Sequence, residues 1–109
     1  MKEEFQARMI RIHFTEADKW QGKPLHEAIV AKCQELGLAG AMVYRGLEGF
    51  GASARIYRAR SLSLSKEVPI MVSVIDTEEQ IQKLLPHLDQ MIAGGLVASS
   101  NVEVIRYSR

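Results

Sequence analysis

At 109 residues, with 47% hydrophobic and 25% charged side chains, the chain has the make-up of one two-layer domain and too little length for two. A formal net charge of +1 gives no bulk attraction for DNA, RNA or a membrane surface, and the single cysteine excludes an intrachain disulfide and any all-cysteine metal site. The N-terminal MKEEFQARMI has mixed charge and no secretory apolar core, and no run approaches the roughly 18 apolar residues of a membrane span, so a cytoplasmic protein is expected.

Residues 1–7 read as a polar, frayed end. Arg8 to Phe14 then alternates, with Ile10, Ile12 and Phe14 on one face and Met9, Arg11 and His13 on the other, which predicts a strand with a mixed second face. Thr15 to Gly22 is a polar turn region in which Trp20 is the one large apolar residue. Lys23-Pro24 opens a helix, because the donor that proline lacks is unused in a first turn. Leu25, Ile29, Cys33 and Leu36 fall on its apolar face, widened by Ala28, and Gly37 supplies a left-handed cap position. Ala41 to Tyr44 is a short strand that runs into Gly46, Gly49 and Gly51.

Residues 51–66 lack a sustained core pattern. They carry Arg55, Arg58, Arg60 and Lys66 with no acid until Glu67, and read as a short hairpin or strand extension. Val68 to Ile75 is the strongest strand, apolar on both faces apart from Ser73, with Pro69 near its first residue. Asp76 or Thr77 caps a second helix, whose apolar face is Ile81, Leu84, Leu85, Leu88, Met91 and Ile92. Pro86 inside that pattern predicts a kink or a restart after Leu84. Gly94-Gly95 ends the helix, and Val97 to Tyr107 holds the last strand.

The order β-α-β, basic excursion, β-α-β predicts an α+β fold of the ferredoxin-like split βαβ type, βαββαβ, a four-stranded antiparallel sheet with two helices on one face. Two helices leave the other sheet face bare, yet the third strand is apolar on both sides. A second copy of the chain is the simplest cover, so a homo-oligomer is expected.

Gly46, Gly49 and Gly51 either open backbone donors to an anion or shape a turn at a sheet edge. They match neither GxxxxGK[S/T] nor a GxGxxG that opens a helix. Arg45, Arg58 and Arg60 suit phosphate or carboxylate ligands, and Arg58 and Arg60 would share a face if extended. With Arg55, Tyr57 and Lys66, the last two also fit a partner-contacting loop or a solvated basic hairpin. Asp18, Lys19, Gly22 and Pro24 are read as structural or loop-orienting. Trp20 either stacks on a ligand ring or fills an interface. His13, His26 and His87 have no metal-ligand spacing, Cys33 lies on an apolar stripe, and no nucleophile-base motif is present; no metal site and no enzyme are expected.

Gly49-Phe50-Gly51 after a strand, a loop, a core strand ending in an acid, a helix and a glycine pair resemble the PII signalling proteins. The pattern is closer still to an uncharacterised family of small bacterial and archaeal PII-like proteins. It is carried by Asp18-Lys19, Gly22-Lys23-Pro24-Leu25, Val43-Tyr44-Arg45-Gly46, Gly49-Phe50-Gly51, Leu62-Ser63 and Gly95-Leu96-Val97, and spans residues 8–107. The resemblance implies a trimeric, non-enzymatic regulator. It would bind an adenine nucleotide or other small anion at subunit clefts, with Phe50, Gly94 and Gly95 joining the ligand contacts. The 51–66 segment would act as an effector loop toward a protein partner. The alternative is a constitutive interaction trimer with no small ligand, docking on an acidic partner such as an ion channel or transporter. A metal-responsive trimer like the copper-tolerance proteins shares the fold but lacks support from clustered soft ligands here. The chain also departs from PII: its excursion is shorter, and Leu96 and Val97 stand where PII proteins carry a phosphate-contacting lysine.

Overall fold

The computed structural model describes residues 1–60 and 67–109. In chain order the elements are β1 (Lys2–Thr15), β2 (Lys19–Trp20), β3 (Lys23–Pro24), α1 (Leu25–Glu35), β4 (Met42–Arg45), β5 (Glu48–Gly49), β6 (Tyr57–Arg58), β7 (Pro69–Asp76), α2 (Glu78–Met91) and β8 (Leu96–Tyr107). β4, β7, β1 and β8 form a four-stranded sheet in that order, each neighbour antiparallel. With the two helices, this is the ferredoxin-like βαββαβ topology. Lys66 and the Leu62-Ser63 pair lie outside the described residues.

One face of the sheet makes the core. Ile10, Ile12 and Phe14 of β1 pair across to Val74, Val72 and Ile70 of β7, so their side chains share a face. All six are buried, and Leu25, Ile29 and Cys33 of α1 with Ile81, Leu84, Leu88 and Met91 of α2 close over them. Among the described residues, the opposite face has no such layer. There Met42, Tyr44 and Ile75 are exposed in the same rows as Met9, Arg11 and His13.

Three readings need correction. Residues 2–7 are not frayed: β1 starts at Lys2 and pairs with β8 from Lys2↔Tyr107 to Ala7↔Val102. Met1 and Ser108 exchange hydrogen bonds at the tip, and the Arg106 guanidinium sits 4.9 Å from the centre of the Phe5 ring. The order of this end comes from a partner about a hundred residues away, which a local pattern does not reveal. Pro24 does not stand in the first helical turn. It ends β3 and caps α1 with ψ 133°, because a tight β2–β3 hairpin, turning at Gln21 (φ 50°) and Gly22 (φ 81°), holds it extended. α2 neither stops nor restarts at Pro86, but runs to Met91. Pro86 and Gln82 are both exposed, so the carbonyl that loses its donor can turn to water.

The helix ends follow their local chemistry. α1 closes with Gly37 at φ 79°, its N–H donating to Gln34 at 3.1 Å, and the Leu38 N–H donating to Cys33 at 3.0 Å. That pair of hydrogen bonds is the Schellman motif. α2 is capped by Thr77, whose hydroxyl accepts from the Gln80 N–H at 3.3 Å.

Candidate functional site

The C-terminal end of β1 and the N-terminal ends of β7 and β8 meet at one end of the sheet. The segment after β5 folds over them, and a cavity of about 550 Å³ opens between. Its wall takes Phe14, Thr15 and Asp18 from β1 and the following turn, Phe50 to Ser53 and Arg55 from the excursion, Glu67 and Pro69 before and on β7, and Gly94 to Leu96 before and on β8. That volume is within the range of small-molecule sites.

Each wall has a physical reason for its place. Asp18 accepts from the Thr15 N–H at 2.8 Å and the Thr15 hydroxyl at 3.3 Å, closing the turn that leaves β1. The Asp18 carbonyl accepts from the Leu25 N–H at 2.9 Å, tying that turn to the first residue of α1. Asp18 therefore holds the loop and lines the cavity at once. Gly95 has φ +142°, and a Cβ there would run into the His13 carbonyl oxygen. Gly95 thus lies flat on the β1 backbone, which only glycine permits. On the excursion, the Ala54 N–H donates to Gly51 at 2.8 Å, Ala54 takes φ 61°, and the Arg55 N–H donates to Ser53 Oγ at 3.2 Å. This turn sets Arg55 at the rim, where its Nε lies 3.9 Å from Glu67 Oε2.

The structure separates the residues singled out in the sequence into two groups. Phe50, Gly51, Gly94, Gly95, Arg55 and Asp18 converge on the cavity. Gly46 and Gly49 pack on Pro69 instead; a Cβ on Gly46 would meet Pro69 Cβ at 3.0 Å. Arg45 pairs with Glu16 at 2.5 Å, and Arg58 pairs with Glu48 at 3.5 Å within the small β5–β6 hairpin. Arg60 stands in the turn after β6, so it does not share a strand face with Arg58. Tyr57 pairs with Gly49 in that hairpin. Gly22 turns the β2–β3 hairpin, in which Lys19 pairs with Pro24. Trp20 packs on the hydrophobic core beside α1 and takes no part in the cavity wall.

Sequence reasoning missed Thr15, Ser53, Pro69 and above all Glu67 as cavity residues. For Glu67 a signal existed, since it is the first acid after the basic stretch. Among the described residues, no three His, Cys, Asp or Glu side chains gather as a metal site. Cys33 is buried under α1, and burial pushes its thiol up to about 11, so it stays protonated and inert at neutral pH. Among the described residues, no helix is long and apolar enough to cross a membrane.

This topology, with a cavity at the strand ends, is the PII-like fold. Over 94% of this chain and 91% of the other, it superposes with a TM-score of 0.67 and 19% identity on CPII from Thiomonas intermedia K12, solved bound to ADP and bicarbonate. The chain belongs to the DUF190 family, described as "Uncharacterized ACR, COG1993", whose model matches residues 7–104. A UPF0166 protein of Aquifex aeolicus is 32% identical over 90% of this chain and 92% of its own. Another, from Methanocaldococcus jannaschii, is 30% identical over 92% and 93%.

Proposed function

We propose that the protein is a non-enzymatic PII-like regulator, located in the cytoplasm, that binds a small anionic ligand in this cavity and signals occupancy through the 51–66 segment. The observation that carries the reading is the meeting of Phe50, Gly51 and Arg55 with Gly94 and Gly95 around one cavity of about 550 Å³. These stretches lie far apart in sequence and are the ones whose pattern resembles PII proteins. An adenine nucleotide is the favoured class, supported by CPII, a protein of the same fold bound to ADP and bicarbonate.

Coupling follows from position. Residues 51–53 and Arg55 are both part of the cavity wall and the root of the excursion. A ligand that contacts them differently in two arrangements shifts the population of the whole segment. Tyr57, Arg58 and Arg60, with Lys66, face a protein partner in this reading, and a transporter or channel is the class that the resemblance suggests. Three copies would place the bare sheet faces together and set the cavity beside a neighbouring subunit. Arg45, Gly46 and Gly49 then act by shaping the root of the segment rather than by touching ligand.

Calorimetric titration and thermal shift with AMP, ADP, ATP and bicarbonate test the proposal. Saturable binding of at least one adenine nucleotide, with a raised melting temperature, is the expected result. Flat responses throughout at millimolar ligand overturn it.

A further inference from the structure

We propose that Ala54 is a positioning residue: its left-handed backbone keeps the Gly51–Ala54 turn marginally closed, and this turn is the joint between the cavity wall and the β5–β6 hairpin. The inference rests on the ligand-binding reading above and names the joint through which it acts.

Among the described residues, Gln21 and Ala54 are the non-glycine residues with positive φ, at 50° and 61°. Gln21 has a local reason. With Gly22 at φ 81° it makes the two-residue turn of the β2–β3 hairpin, a geometry that requires positive φ at both positions. The β5–β6 hairpin imposes no such rule: Gly49 and Tyr57 are its last facing pair, and residues 50–56 form a longer loop between them. Around this loop the chain carries Gly46, Gly49 and Gly51, none of which takes a positive φ, and it sets an alanine at the position that does. A residue with a Cβ is disfavoured there relative to glycine. Outliers of this kind gather where a conformation is poised to change.

Phe50, Gly51, Ala52, Ser53 and Arg55 all line the cavity, and Ala54 is the one residue of that run that does not. Its conformation therefore reaches a ligand through its neighbours. Two hydrogen bonds hold the turn, from the Ala54 N–H to the Gly51 carbonyl at 2.8 Å and from the Arg55 N–H to Ser53 Oγ at 3.2 Å. Residues 50–55 are all exposed, so water competes for both bonds and little burial supports them. Opening the turn moves Ser53 and Arg55 off the wall. The same backbone runs on into Tyr57 and Arg58 of β6. A ligand held by Ser53 and Arg55 closes the turn and sets the hairpin, and a hairpin fixed from outside closes the turn for the ligand.

The test compares wild type, Ala54→Gly and Ala54→Val, at an exposed position outside the core where each variant keeps the fold. Amide exchange at positions 54 and 55, measured by NMR without ligand and corrected for intrinsic rates, reads the turn directly. Ala54→Gly is expected to slow it about fivefold, because glycine enters the left-handed region freely. Ala54→Val is expected to speed it about threefold, because a β-branched residue resists that region. Isothermal titration with AMP, ADP and ATP then follows the same order, tighter by up to about fivefold in Ala54→Gly and weaker by up to about threefold in Ala54→Val. Glycine ordinarily loosens a loop, so tightening by Ala54→Gly is the mark of a left-handed requirement. Exchange or affinity left unchanged by Ala54→Gly, or loosened by it, overturns the proposal while ligand binding stands. Graded exchange with no nucleotide bound by any of the three proteins overturns the ligand-binding reading and leaves the joint standing.

Discussion

Gly46, Gly51 and Gly95 look alike in the sequence and do different things in the molecule. Gly46 is pressed on Pro69, to whose carbonyl its N–H donates at 2.7 Å, and Gly51 has open space around it at the cavity wall. Gly95 combines φ +142° with a backbone approach to His13 that leaves no room for a methyl group. Gly95→Ala is therefore expected to cost about 2–4 kcal/mol, since strain and clash add and neither has a flexible neighbour to absorb it. Urea denaturation checks it, with Gly51→Ala as the comparison expected to fall below about 1 kcal/mol. Equal losses at the two positions would mean that the His13 contact is not what requires glycine.

Among the elements, Asp76 is the joint. It ends β7 as a buried charged residue, its Oδ2 accepting from the Ala39 N–H at 2.8 Å and its Oδ1 from the Thr77 N–H at 2.7 Å. Gln80 adds a bond from its side-chain amide to the Gly37 carbonyl at 3.0 Å. The exit of α1, the end of β7 and the start of α2 are thereby fixed to one another. Asp76→Ala strands two backbone donors, and a loss of about 2–4 kcal/mol is expected in denaturant titration. Asp76→Asn keeps an acceptor and should lose less, whereas Thr77→Ala removes only the α2 cap, worth about 1 kcal/mol. From its place before Glu78 and Glu79, Asp76 reads as a simple helix-start acid; its second bond, to Ala39, depends on a loop thirty-seven positions upstream.

For the whole molecule, the bare sheet face is the dominant surface feature. Tyr44 is 47% exposed and Ile75 43% exposed, in rows shared with Met71 and Met9 on a face that no helix of the described residues covers. If copies of the chain meet there, sedimentation gives the mass of a trimer for wild type, and Tyr44→Lys with Ile75→Lys lowers it to one chain. Both side chains are already exposed in the single chain, so the variant is expected to keep its circular dichroism spectrum. A monomeric wild type would mean that a different partner, or none, covers the face.

How much could be read in advance follows from the range of each interaction. Ile10, Ile12 and Phe14 announce a strand face, and Leu25, Ile29 and Cys33 a helix stripe, because period 2 and period 3.6 are local properties of the backbone. Gly37 and Thr77 mark helix ends for the same reason. The order of those elements determined the ferredoxin-like topology. The tertiary structure alone decided what depends on distant pairing: that residues 2–7 form a strand against β8, that Trp20 belongs to the core, and that Arg45 and Arg58 are taken by glutamates. It also decided that Glu67 lies beside Arg55 on the wall of a cavity that Gly94 and Gly95 share. Hydrogen bonds and ion pairs between remote segments follow from how strand ends are brought together, and no local periodicity encodes that.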